Sequence, residues 1–264
     1  MSDLAPVLMI HGVGCTGSAW AVMADDLRRR GRRCETPTLA ADRRVKHDPP
    51  PDLPSLSLRD YVEESAERAR RLFQESGRQP VLVGHSMGGL IVQKLAEQGL
   101  GCAAVLLTPA SPADAWGKPS PAQLFTFANI AFASRPETKA HKVWKPGFRW
   151  GVLNRVPAAR HDAIYAEAVY DSGRVYADLA RPVEQDPHRT AVVDESRIRI
   201  PMLVIGAGQD RTTPAAHVRL VADKYARVGA DRLEYPDHAH WIVDEPGTDR
   251  VVAEISAWLD ARGA

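Results

Sequence analysis

The chain has 264 residues, 44% of them hydrophobic and 25% charged, with a formal net charge of +1. That length fills one large core or two small ones, and the near-neutral balance argues against a nucleic acid or an anionic membrane surface as partner. Cys15, Cys34 and Cys102 cannot all pair and form no C-x-x-C, so no disulfide framework is expected and a reducing, cytoplasmic location fits.

The segment Met1-Ser2-Asp3-Leu4-Ala5-Pro6 has no basic region and no small-residue cleavage site, so no leader is expected. No apolar run reaches the ~18 residues that span a bilayer. Val7-Leu8-Met9-Ile10 reads as a buried parallel strand, broken by His11-Gly12-Val13-Gly14. Trp20, Met23, Ala24 and Leu27 share a helical face between about Ser18 and Arg30, and Gly31 follows as a C-cap. Arg33-Cys34-Glu35-Thr36 is a weak strand closed by Pro37. Residues 40 to 56, with Asp42-Arg43-Arg44, Pro49-Pro50-Pro51 and Pro54, read as a surface loop. Ser57 with Asp60 three residues on signals a helix start, and Val62, Ala66, Ala69 and Phe73 mark its inward face up to Gly77.

The β-branched run at Val81-Leu82-Val83 leads into Gly84-His85-Ser86-Met87-Gly88, and the apolar Leu90, Ile91 and Val92 follow. This is the G-x-S-x-G pattern of a strand that turns abruptly into a helix and lifts one serine clear of the sheet. Such a turn crowds the positions two before and two after the serine, and both are glycine. The helix that follows would aim its first N–H groups at the place where negative charge develops.

Ala103 to Leu107 is another buried strand, closed by Thr108-Pro109. The alternation of strand and helix implies βαβ units and a mostly parallel sheet with helices on both faces. From 112 to 195 no strand signal is present, and Pro119, Pro121, Pro136, Pro146, Pro157, Pro182 and Pro187 punctuate the stretch. Ser120-Pro121 starts a helix with Leu124, Phe127, Ala128 and Ala131 on one face. Pro157 opens a second, with Ile164, Tyr165, Ala168 and Val169. Trp116, Phe125, Phe127, Phe132, Trp144, Phe148 and Trp150 are concentrated here. The stretch 112–195 therefore reads as a helical insertion into a core formed by 1–111 and 196–264. Strand rhythm resumes at Met202-Leu203-Val204-Ile205-Gly206, followed by a helix with Val218, Val221, Ala222 and Tyr225. A short strand at Leu233-Glu234-Tyr235 and a helix from about Thr248, with Val251, Val252, Ile255 and Leu259, complete the chain.

A serine hydroxyl is a poor nucleophile near neutral pH and needs an adjacent base, usually an imidazole oriented by a carboxylate. Asp210 lies just past the strand at 202–206, and His240 lies past the strand ending near Tyr235. The chain order Ser86, Asp210, His240 is the order an elbow of this kind uses.

These segments resemble the α/β-hydrolase superfamily along nearly the whole chain. The resemblance implies an α/β fold with a mostly parallel sheet of about six strands, helices on both faces, and a helical lid at 112–195. His11-Gly12 is similar to the family's first loop, which implies that the backbone N–H of Val13 is one oxyanion donor and that of Met87 the other. The family commonly opens with two further strands, whereas the sequence starts almost directly at the strand before His11-Gly12.

Competing assignments exist for each partner of the serine. His238 would share a face of an extended loop with His240, but only His240 stands beside the family-like Trp-x-x-x-Glu-Pro run at 241–246. Asp114 and Asp237 compete with Asp210. A metal site built on the two histidines lacks a third ligand at suitable spacing, and Gly12-x-Gly14-x-x-Gly17 lacks the trailing acid of a dinucleotide site. No metal and no cofactor is therefore expected. His11 and His85 are expected to pack and hydrogen-bond, and Cys15 is read either as a substrate contact or as a small hydrophobe.

The sequence thus points to a serine hydrolase that cleaves an ester-type bond (carboxylic ester, lactone or thioester) of a small, largely apolar molecule through an acyl-enzyme on Ser86. A C–C bond hydrolase or lyase on the same fold, or a ligand-binding relative with little turnover, are the alternatives. Trp116, Phe125, Phe127, Trp144 and Trp241 are the candidate substrate contacts. Lys118, Arg135, Lys139, Lys142, Lys145 and Arg149 outnumber Glu137 between Trp116 and Trp150, which reads either as a contact for an anionic substrate group or as a solvated basic face.

Overall fold

The computed structural model describes residues 4–185 and 188–264; Met1, Ser2 and Asp3 of the N-terminal segment and Pro187 of the insertion lie outside these. In chain order the first half holds β1 (Val7–Ile10), α1 (Ala21–Arg29), β2 (Cys34–Glu35), α2 (Leu58–Ser76), β3 (Val81–His85), α3 (Met87–Glu97) and β4 (Ala103–Leu107). The insertion contributes α4 (Pro121–Thr126), α5 (Ala128–Ala131), β5 (Ala140–His141), α6 (Lys145–Gly147), α7 (His161–Ala166), β6 (Asp171–Ser172) and α8 (Gly173–Ala180). The core resumes with β7 (Met202–Ala207), α9 (Ala215–Ala226), β8 (Asp231–Tyr235) and α10 (Thr248–Asp260).

Six strands form one sheet in the order β2-β1-β3-β4-β7-β8, and every neighbouring pair is parallel. Parallel strands covered on both faces must be apolar on both, and β1, β3, β4 and β7 are buried throughout. Alternate residues point to opposite faces and build two cores. Val7, Met9, Val83 and Val105 join Trp20, Met23 and Leu27 of the α1 region and Val251, Val252, Ile255 and Leu259 of α10. Leu8, Ile10, Leu82 and Leu106 join Tyr61 and Leu72 of α2, Leu90 and Ile91 of α3, and Val218 and Tyr225 of α9.

The helix starts follow local chemistry. Ser57 and Asp60 form a capping box ahead of α2, and Gly77 ends that helix in the left-handed region at φ 71°. The inward face of α2 differs from the expected one at its end. Leu72 is buried and Phe73 is 42% exposed, because the buried stripe runs through Leu58, Val62, Ser65, Ala69 and Leu72 and leaves Phe73 on its outer edge.

The insertion departs from the expectation in three places. A two-residue antiparallel ladder sets Ala140 against Ser172 and His141 against Asp171, too short to leave a periodic signal. The helix expected from Ser120 breaks at Phe127 into α4 and α5, and Leu124 is 45% exposed on the wall of an open cavity. The second helix ends at Ala166, so Ala168 and Val169 are buried beyond it and not on its face.

Residues 40 to 56 are also less superficial than their prolines suggest. Leu53 is buried, and the Arg44 side chain is wholly buried against Asp171, which is wholly buried too, at 2.8 Å. The partner lies 127 residues along the chain, beyond the reach of any local pattern.

Candidate active site

The strand order reverses at β1, with β2 on one side and β3, β4, β7 and β8 on the other. The loops leaving β1 and β3 therefore part toward opposite faces and open a crevice beyond the C-terminal ends of the strands. Val13 and Ser86 lie on those two loops, and both line the cavities found there.

Ser86 connects β3 to α3 at φ 55° and ψ −120°, a conformation that L residues rarely adopt and that surrounding bonds must hold. Ser86 N–H donates to Leu107 O at 3.1 Å, and Ser86 O accepts from Gly89 and Ala110 at 2.9 and 2.8 Å. The flanking glycines are sterically required. A Cβ on Gly84 would stand 2.2 Å from Gly88 O, and one on Gly88 would stand 1.9 Å from Ile10 O. Met87 opens α3, so its N–H has no carbonyl in a preceding helical turn to bind.

Asp210 sits in the turn after β7. Its Oδ1 accepts from the N–H groups of Thr212 at 2.7 Å and Thr213 at 2.8 Å, and its Oδ2 accepts from Thr213 Oγ1 at 2.8 Å. The same Oδ2 lies 2.9 Å from Nδ1 of His240, which is buried in the loop after β8. With Nδ1 donating to the carboxylate, Nε2 carries the free lone pair. His240 and Ser86 line the same small cavity. The structure thus gathers Ser86, Asp210 and His240 at one place.

The competitors are directed elsewhere. His238 Nδ1 lies 2.8 Å from Glu245 Oε1, which also accepts Ala239 N–H at 2.7 Å, so this pair shapes the turn that carries His240. Asp114 meets Lys224 at 2.7 Å, and Asp237 is exposed. His85 packs its ring on His240 with centroids 4.8 Å apart and donates from Nε2 to His240 O at 2.7 Å. Burial, reinforced by the neighbouring His240, pushes its pKa down to about 3, so it stays neutral. His11 donates from Nδ1 to Gly12 O at 2.9 Å and accepts Leu39 N–H at 3.1 Å; burial and the Arg44 charge hold its pKa well below the ordinary range.

The aromatic contacts divide. Trp116 and Phe127 line the larger cavity, and Phe127 and Trp241 line the smaller. Phe125 and Trp144 line neither. Phe125 lies about 100° around α4 from the cavity-facing Leu124 and packs on Trp144 and Trp150, with ring centroids 5.2 and 5.0 Å away. Trp144 is tied to it by an indole N–H bond to Phe125 O at 3.1 Å. The six basic residues between Trp116 and Trp150 line neither cavity, and Lys145 instead pairs with Asp162 at 2.9 Å on the outer face. Cys15 lines the smaller cavity, and burial pushes its thiol up to about 12, so it presents sulfur as an apolar wall.

Three site features carry no sequence signal. Thr213 reaches both members of the Asp–His pair, its Oγ1 lying 3.3 Å from His240 Nδ1. Tyr176 lines the larger cavity. Asp171 accepts Gly14 N–H at 2.8 Å and Tyr61 Oη at 2.6 Å, while Arg44 donates to it and to Cys15 O, so one buried ion pair braces the loop after β1. Among the described residues no group of three or more His, Cys, Asp or Glu is placed to hold a metal ion, and no helix is long and apolar enough to cross a membrane.

A model of the alpha/beta hydrolase family matches residues 7–254. No curated protein sequence matches the chain at a significant level. Solved structures do. A pyrethroid hydrolase from Sphingobium faniae superposes with a TM-score of 0.71 at 18% identity over 98% of both chains. A methylesterase from Arabidopsis gives 0.69 at 14% identity over 97% of this chain and 99% of the other. A monoacylglycerol lipase from Paleococcus ferrophilus gives 0.68 at 21% identity over 98% and 96%. At these identities the likeness establishes the fold and leaves the chemistry to the site.

Proposed function

The chain belongs to the alpha/beta hydrolase family, and on that premise we propose that it is a serine hydrolase cleaving an ester-type bond of a small, largely apolar substrate through an acyl-enzyme on Ser86. The observation that carries this reading is the buried 2.9 Å pair of His240 Nδ1 and Asp210 Oδ2, in a cavity shared with a strained serine on an elbow. An oriented imidazole beside a raised serine is the arrangement that turns a hydroxyl into a nucleophile at neutral pH.

In the first step Ser86 Oγ attacks the ester carbonyl while His240 Nε2 takes its proton. Asp210 holds the tautomer and stabilises the imidazolium. The N–H groups of Val13 and Met87 receive the oxyanion, each such donor being worth on the order of 3 kcal/mol of transition-state stabilisation. His240 then protonates the leaving oxygen, and in the second step it activates the water that releases the acid. Residues 112–195 act as a lid, since Trp116, Phe127 and Tyr176 from this insertion wall the cavity above Ser86. The resemblance in fold to a methylesterase, a pyrethroid hydrolase and a lipase supports ester chemistry.

The test is turnover of an activated aryl ester such as 4-nitrophenyl acetate. Ser86→Ala should lower kcat by at least about 10³-fold with the unfolding midpoint retained. Retention of most of the rate would refute the assignment.

A further inference from the structure

Two consecutive residues of the insertion hold the two loops that carry the acid and the base. Asn154 Nδ2 donates to Gln209 O, one residue before Asp210, and Arg155 Nε donates to Asp237 O, three residues before His240, each at 2.9 Å. The two loops also meet directly, with Gln209 N–H reaching His238 O at 2.9 Å and Gln209 Nε2 reaching Pro236 O at 3.3 Å. Two further ties fall on the other side of Asp210. Gln123 of α4 donates from Nε2 to Thr212 O at 2.9 Å. Arg211 donates to Trp150 O at 3.0 Å, and its guanidinium carbon lies 4.3 Å from the centre of that indole. The insertion therefore grips the chain on both sides of the carboxylate and ahead of the imidazole.

These bonds reach the chemistry through the acid's own partners. Thr212 N–H donates to Asp210 Oδ1 at 2.7 Å, and Gln123 holds the carbonyl of the same residue. A displaced acid loop would carry the carboxylate away from Nδ1 of His240. In a catalytic site a misplacement of about 1 Å costs on the order of 10²-fold in rate.

Asn154 is also a costly residue for the fold. Its Oδ1 is buried without a hydrogen-bond partner among the described residues, while its Nδ2 serves the carbonyl of an exposed glutamine. A buried acceptor that finds no donor destabilises the folded state, and a leucine of the same shape would relieve it. Stability therefore gives no reason for an amide at this position, whereas holding Gln209 does.

We propose, resting on the hydrolase reading, that Asn154 and Arg155 are positioning residues that fix the separation of the acid and histidine loops and so the Asp210–His240 bond. The insertion then does more than cover the substrate: proton transfer at His240 requires it to be seated on the core. Neither Asn154 nor Arg155 lines the cavities at Ser86, so both act through the Asp–His pair and not on the substrate.

The experiment is a mutant cycle on steady-state hydrolysis of a fluorogenic aryl ester. Asn154→Leu should lower kcat by about tenfold, the effect of one hydrogen bond. His240 serves acylation and deacylation alike, so both steps slow together and KM should stay within about twofold. The unfolding midpoint should hold or rise, which a purely structural asparagine would not allow. In Asp210→Asn, where the pair is already broken, adding Asn154→Leu should change kcat by less than about twofold. Arg155→Met alters an exposed side chain and should repeat the pattern with a smaller loss of kcat, about threefold. An unchanged kcat in Asn154→Leu, or in Arg155→Met if the first variant does not fold, would overturn the assignment. So would a loss as large in Asp210→Asn as in the wild type, or a change confined to KM. Each of these results leaves the hydrolase reading standing, whereas no Ser86-dependent hydrolysis by the wild-type protein would overturn both.

Discussion

Gly14 and Asp171 are 157 residues apart in sequence, and the amide of the first donates to Oδ2 of the second at 2.8 Å. Beside that bond, Val169 N–H reaches Gly14 O at 2.9 Å and Tyr170 N–H reaches Val45 O at 2.8 Å. The segment leading into β6 is thus fastened to the loop that follows β1. The fastening depends on Arg44, whose guanidinium lies 2.8 Å from the same carboxylate oxygen. Burial alone would lower the Arg44 pKa, but the Asp171 carboxylate outweighs it and holds the group charged.

Removing one partner of a wholly buried pair leaves an uncompensated charge. Asp171→Ala should therefore cost about 3–5 kcal/mol of stability, read as a shift in urea unfolding. The double change Arg44→Met with Asp171→Leu removes the stranded charge but leaves the Gly14 amide and the Tyr61 hydroxyl without their acceptor, so it should recover only part of the loss. A double variant as unstable as the single one would show that those lost hydrogen bonds, not the stranded charge, set the cost.

The Asp210 carboxylate fixes the His240 tautomer through Oδ2, and Thr213 fixes the carboxylate. Asp210→Asn should lower kcat by about 10³–10⁴-fold, because an amide can donate to Nδ1 and force the wrong tautomer. Thr213→Val keeps the shape and removes one hydroxyl bond, so kcat should fall about tenfold with KM held. Steady-state kinetics on one ester separates the two; a Thr213→Val variant changed only in KM would assign that hydroxyl to substrate binding.

Two glycines provide a matched steric test. A Cβ on Gly88 meets backbone at 1.9 Å, whereas Gly99, at φ 75°, has open space around it. Gly99→Ala should cost about 1–2 kcal/mol, the penalty of the left-handed conformation alone. Gly88→Ala should cost more than about 3 kcal/mol, since neither backbone segment can yield. Thermal or urea unfolding of the two variants reads the difference, and equal losses would contradict the steric account of the elbow.

His85 gives the protein an acid limit. Its folded pKa is about 3 against an ordinary value of 6.5. Above 6.5 the imidazole is neutral in both states and adds no pH dependence. Below it the unfolded chain binds a proton that the folded chain refuses, so stability falls as pH drops from about 6.5 toward 3, by up to ~1.4 kcal/mol per pH unit. His11, whose pKa is also held down, acts in the same direction. In His85→Asn the slope of unfolding free energy against pH, measured at about pH 4–6, should fall by roughly one proton. An unchanged slope would mean that His85 titrates normally in the fold.

The parts of the fold and site that sequence reveals are those whose cause is local. Gly84 and Gly88 are dictated by a clash within one turn, the capping box at Ser57 by three residues, and the strand runs by burial on both faces. Asp210 and His240, which the structure joins by one hydrogen bond, stand out in the sequence because each follows a strand. Asp171 and Arg44 do not, since neither means anything until the chain has folded them together. Phe125 and Phe127 look alike as lid aromatics; helical spacing groups Phe127 with Leu124, and only the fold shows that this face meets the cavity at Ser86. Tyr176 shows no pattern at all, because only the fold brings its side chain to the cavity wall.

Mass spectrometry after fluorophosphonate treatment tests most directly whether Ser86 is the nucleophile. The wild-type protein should gain a single adduct that maps to the peptide holding Ser86, with ester turnover lost in step. Labelling should slow by about 10³-fold or more in His240→Ala, where the base is gone. An adduct on another residue, or an unlabelled protein that still hydrolyses esters, would contradict it.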